Sequence, residues 1–140
     1  MEFSISRTLL LDCLSHFQSV VEKRNTIPIL SNIKINAIEG GLNLTATDLA
    51  IELSESLAAS VNLTGGVTIP SQLFFDIVRK APDSSNITLK KDEKTSTVFL
   101  LFGDSKFSLP TLPMEDFPVM DSENLAREIS INSNDLKILI

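Results

Sequence analysis

The chain has 140 residues, enough for one ordinary domain around a single core, and its 43% hydrophobic content places it among globular rather than disordered sequences. Its longest apolar run, Val98 to Phe102, is far shorter than the about 20 residues a membrane-crossing helix needs, and Met1 to Ser6 lacks the basic and apolar regions of a secretory signal. A net charge of −6 excludes a uniformly basic nucleic-acid binder, and a single cysteine, Cys13, excludes an internal disulfide, as fits a soluble protein of a reducing cytoplasm.

In chain order, Glu2 to Ser6 reads as a strand, and Arg7 to Val21 as a helix. Leu10, Leu14, Phe17 and Val21 recur there at spacings of four, three and four, one buried stripe. Ile33 and Ile35 alternate with Lys34 and Asn36, Gly40-Gly41 supplies a hairpin turn, and Leu42 and Leu44 return. Ile51 to Leu53 and Leu57 to Leu63 read as further strands, with Asp48 capping the turn after Thr47. Ser71 to Ala81 places Leu73, Phe74, Ile77, Val78 and Ala81 on one helical face. Ser71 is the expected N-cap there, and Pro82 is the stop. Ile87 and Leu89 begin a strand, a charged turn spans Lys91 to Lys94, and Thr97 to Phe102 turns at Gly103-Asp104 into Lys106 to Leu109. Pro110 to Asn124, with three prolines and four acids, reads as an ordered linker.

Repetition is the stronger signal. Strand, helix and several strands appear from Glu2 to Leu63 and again from Val67 to Leu109, so the reading is α+β: two pseudo-symmetric strand–helix–strands units, with two helices on one face of antiparallel sheets. A longer repeat brings Glu2 to Ser6 and Leu10 back as Glu128 to Asn132 and Leu136, 126 positions on, with Glu, Ser, Ile and Leu identical. Residues 1–126 are therefore expected to form a first domain, and 127–140 to begin a second that continues beyond this fragment.

Charge is segregated. Acids crowd into Asp48, Glu52 and Glu55, and again from Glu115 to Glu128, whereas Thr64 to Pro82 holds one acid, Asp76, against Arg79 and Lys80. Cys13 and His16 share a helix face, but two ligands do not make a zinc site and the chain has no other Cys or His. Cys13 is expected in the core and His16 on the surface; on a strand Asp48 and Glu52 face one side and Glu55 the other, and a solvated outer face is the simpler account of these acids than paired catalytic carboxylates. No phosphate loop or nucleophile elbow is present, so no catalytic residue, cofactor or metal is expected. The absence of Trp and Tyr speaks against a single-strand-binding module.

Four segments, in order, resemble the bacterial DNA polymerase III beta subunit family: Arg24 to Leu30 (RNTIPIL), Leu44 to Leu49 (LTATDL), Ile69 to Arg79 (IPSQLFFDIVR), and Phe107 to Pro113 with Asp116-Phe117-Pro118. The resemblance implies a DNA clamp fold, three similar domains per subunit and a head-to-tail homodimeric ring, with helices lining the hole. It implies a non-catalytic processivity factor whose partners are duplex DNA, the replicative polymerase and the clamp loader. The pocket for partner peptides would lie between the second and third domains, beyond residue 140, so this piece alone is expected neither to close a ring nor to bind such peptides well.

The resemblance also implies a DNA contact at Arg24, and Lys23, Gln72, Arg79 and Lys80 join it as candidates. Cations at a helix end also complement the helix dipole by about 0.3–1 kcal/mol each, the alternative reading for Lys23, Arg79, Lys80 and Arg7. Gln72 stands where many relatives carry a cation. Leu73, Asp104, Lys106, Phe107 and Leu109 match the subunit edge, although Leu73 and Asp104 are often basic in relatives and Phe107 and Leu109 also fit ordinary core. The competing reading is a generic protein-interaction domain with an acidic docking sheet.

Overall fold

The computed structural model describes residues 1–21, 26–92, 94–118 and 130–140. In chain order the elements are β1 (Glu2–Ser6), α1 (Arg7–Phe17), β2 (Asn32–Ile38), β3 (Gly41–Thr47), β4 (Glu52–Ala58) and β5 (Ser60–Leu63). They continue with β6 (Gly65–Pro70), α2 (Ser71–Lys80), β7 (Asn86–Asp92), β8 (Thr97–Phe102), β9 (Ser105–Pro110) and α3 (Ser133–Leu139).

The strands form two antiparallel sheets, ordered β5-β1-β7-β8-β9 and β4-β3-β2-β6. Each repeat thus lends its first strand to the other repeat's sheet, and the orders β1-β7-β8-β9 and β6-β2-β3-β4 correspond. A shift of 64 positions, Arg7 onto Ser71, lays Phe3 on Val67, Ile5 on Ile69, Leu10 on Phe74, Leu14 on Val78 and Phe17 on Ala81, and all ten are buried. Inward residues face each other across the ladders, Phe3 opposite Leu89 and Ile35 opposite Val67 and Leu44. These chains form one core with the helices, each fully buried Leu, Ile or Phe contributing about 1.5–3 kcal/mol.

The helices run antiparallel. The start of α1 touches the end of α2 through Arg7, and the end of α1 touches the start of α2 where Gln18 Nε2 donates to Ser71 Oγ at 3.2 Å. Helix α1 stops at Phe17, four residues before the expected end. Ser19 Oγ donates back to His16 O at 2.7 Å, and the amides of Gln18 and Ser19 bond three residues back, tightening the last turn. Ser71 is not the N-cap. Pro70 holds that position, and Ser71, 1% exposed, spends its hydroxyl on Gln18. Ala81 is extended at ψ 150°, as a residue before proline should be, so the stop at Pro82 is as expected.

Two strand readings change. Leu57 to Leu63 is not one strand: the chain leaves the four-stranded sheet after Ala58 and joins the other at Ser60. Gly41 belongs to β3 rather than to the turn, which is Glu39-Gly40 with Gly40 at φ 79°. A Cβ on Gly41 would stand 2.7 Å from the Leu57 carbonyl oxygen, so only glycine lets β4 close on β3 there.

Asp48 caps its turn as expected, accepting from the Ile51 and Ala50 amides at 2.7 and 2.9 Å. Those bonds hold its carboxyl below the usual range, so its contribution is present above the unfolded value and lost as pH falls through the lowered folded one. They also fix Leu49 at φ 76°, where a non-glycine residue is strained. Helix α3 starts 126 positions after α1, capped by Asn132, whose side chain accepts from the Asn134 amide at 2.9 Å. No described helix is long and apolar enough to cross a membrane.

Candidate nucleic-acid interface

With both sheets behind them, the outward sides of α1 and α2 form one face. On α2 it carries Gln72, Leu73, Asp76, Arg79 and Lys80; on α1, Thr8, Leu9, Asp12 and Ser15. The segment between α1 and β2, which holds the candidates Lys23 and Arg24, lies partly outside the described residues, these two included.

The described candidates divide. Arg79 Nη2 donates to Asp76 Oδ1 at 3.0 Å, and its guanidinium lies 5.6 Å from the Phe75 ring centroid. Gln72 Nε2 donates to the other Asp76 oxygen at 3.0 Å. Lys80 is exposed and makes no ion pair among the described residues. Arg7 is a strut: Nε and Nη2 donate to the Val78 and Arg79 carbonyls at 3.3 and 2.9 Å, and Nη1 pairs with Asp83 at 2.7 Å. It thereby caps α2 and pins the two helices end to end. Sequence reasoning missed Asp76, although the i, i+4 and i, i+3 spacings to Gln72 and Arg79 announce it.

The expected subunit edge is only partly brought together. Asp104 is exposed in the β8–β9 turn, and Lys106 Nζ sits 4.0 Å from the Phe99 ring centroid. Phe107 is 37% exposed and stacks on Phe102, centroids 5.5 Å apart. Leu109, 1% exposed and opposite Val98 on β9, packs into the core, the alternative reading given to it. Leu73 is 43% exposed on α2, where the sequence places it.

Glu52 is exposed on the outer side of β4, as expected. Glu55 faces inward, where His16 Nδ1 meets its Oε1 at 2.7 Å. The outer faces pair neutral groups, Ser4 with Thr88, Thr45 with Ser54 and Ser56 with Asn43, and balance Glu2 against Lys90 at 3.0 Å. Lowering of the Glu2 carboxyl by Lys90 and Asn62 follows from that pairing. Cys13 is buried as expected and His16 exposed; burial, then the nearby Glu55, push the Cys13 thiol up to about 12. That thiol is no nucleophile at neutral pH. No metal-binding group of three or more ligands occurs among the described residues.

Comparison with known proteins gives this geometry its context. The family profile described as the DNA polymerase III beta subunit, N-terminal domain, matches residues 1–121. The chain is 42% identical over its whole length to the beta sliding clamp of Caulobacter vibrioides, of which it spans 38%. It is 36% identical to a beta sliding clamp sequence from Vibrio harveyi, spanning 96% of that sequence. A crystal structure of the Caulobacter crescentus sliding clamp superimposes on 97% of the chain, and 37% of its own, with a TM-score of 0.92 at 42% identity. One from Pseudomonas aeruginosa, bound to griselimycin, covers 86% of the chain and 32% of its own with a TM-score of 0.82 at 34% identity. A strand–helix–strands unit built twice, its helices paired antiparallel on one face, is thus shared with these proteins, and the chain belongs to the DNA polymerase III beta subunit family, with residues 1–121 its N-terminal domain.

Proposed function

We propose that this chain serves as the first domain of a sliding clamp, a non-catalytic processivity factor that encircles duplex DNA and tethers the replicative polymerase. The observation that carries the reading is family membership joined to the paired helices: one polar face, backed by sheets, with few cations. A clamp must hold DNA without gripping it. Tight base contacts would stop sliding, whereas a few cations near phosphates, with closure supplied by the ring, allow it. The outer rims of β4 and β9, counterparts in the two sheets, pair with no described strand and suit head-to-tail ring closure by strand addition. Residues 127–140 then open the second domain, α3 beginning its first helix. The ring is a homodimer in the cytoplasm, and the clamp loader and polymerase dock through a pocket between its second and third domains.

Ring retention separates this reading from a generic docking domain. Clamps carrying this domain, loaded on nicked circular duplex, should stay bound and be released when the circle is linearised. Equal retention on both forms would show gripping rather than encirclement. Changing Arg24 to Ala should weaken DNA association and loading at low salt while leaving the unfolding midpoint nearly unchanged, since a single ion pair typically contributes only about 0–1 kcal/mol. An unaltered affinity would remove Arg24 from the site.

A further inference from the structure

The cations of the helix face are few, and the structure spends one of them internally. Both Asp76 oxygens are occupied, Oδ1 by Arg79 Nη2 and Oδ2 by Gln72 Nε2, each at 3.0 Å. The side chains of Asp76 and Arg79 are 35% and 57% exposed, so the pair sits where an approaching phosphate would meet it. The guanidinium also lies over the Phe75 ring, 5.6 Å from its centroid. The counterpart position on α1, under the 64-residue shift, is Asp12, which is exposed and makes no ion pair among the described residues.

We propose that Asp76 is an internal counter-ion that holds Arg79 along α2 and weakens its grip on phosphate, so that DNA on this face exchanges one carboxylate contact for one phosphate contact at little net gain. The proposal rests on the DNA-facing reading of the helices. A guanidinium has five donors, and Asp76 takes one. Arg79 therefore remains able to touch a phosphate, but half-neutralised and drawn toward its own helix. An exchange of near-equal partners has a low barrier to reversal, which is what movement along the duplex requires.

The test is a cycle of variants of the 140-residue chain titrated with a short mixed-sequence duplex, followed by NMR and repeated across salt concentrations. Asp76→Asn keeps the shape and removes the charge. It should tighten binding about two- to fivefold at low salt, the range of an exposed ion pair. The slope of log affinity against log salt should steepen by up to about 0.9, one further phosphate. The gain should vanish in the Arg79→Gln background and exceed that of Asp12→Asn, which measures the effect of lost negative charge alone. A gain equal to that of Asp12→Asn, or one that survives Arg79→Gln, would overturn the proposal. So would no gain in Asp76→Asn while Arg79→Gln weakens binding, a result that leaves the DNA-facing reading standing. A duplex that shifts no α1 or α2 resonance, with Arg79→Gln indistinguishable from the parent, would remove that reading and this proposal together.

Discussion

Replacing Phe74 by alanine is expected to destabilise the domain by about 3–5 kcal/mol, whereas alanine at the adjacent Leu73 should change stability by no more than about 0.5 kcal/mol. Phe74 is fully buried on the inner side of α2, the counterpart of Leu10 on α1, and its ring joins the core that both sheets share. Truncation removes transfer free energy and also leaves a hole that β-sheets on two sides cannot easily close. Leu73, one residue earlier, stands 43% exposed. Urea denaturation of the two variants at constant slope is the measurement. Similar losses at both positions would mean that α2 does not present the face described, and the assignment of Gln72, Arg79 and Lys80 to the outward side would fall with it.

The contrast between those neighbours also shows what the sequence disclosed. Period alone grouped Leu73 with Phe74, because a five-residue apolar stripe was drawn wider than the contact that α2 makes; the structure buries Phe74, Ile77 and Val78 and leaves Leu73 out. The stop at Pro82 and the turn at Gly103-Asp104 were legible because proline and glycine act on the backbone locally. The crossing from β4 to β5 was not, since Ala59 carries no turn signal and both flanks alternate in the strand manner. Nor was the exchange of first strands between repeats: alternation tells which face of a strand is buried, never which strand lies beside it.

The site was legible to a smaller degree. Strand phase separates Glu55 from Asp48 and Glu52 in the sequence, but its partner His16 lies on another element, and so do the partners of the hydroxyls and amides that line the outer faces beside Glu52. Phe107 and Leu109 share a face of β9, and alternation alone does not tell that one is 37% exposed and the other core. Arg7 reads as a cation that complements a helix end, and it does so, but at the end of α2, where it brackets the two helices, a role that depends on an antiparallel partner no local pattern reveals.

The central claim is that the helix pair, not the sheets, faces the duplex. Cys13 makes a direct test practical, because its thiol is buried and pushed up to about 12, so a cysteine added on the surface can be labelled selectively. Ser15 on α1 is the 64-residue counterpart of Arg79 and is exposed; Ser56 is exposed on the outer side of β4. A DNA-cleaving iron chelate attached at Ser15→Cys should cut bound duplex strongly at low salt, and the same chelate at Ser56→Cys should leave it intact. Cutting from Ser56→Cys with none from Ser15→Cys would put DNA against the sheet and contradict the account.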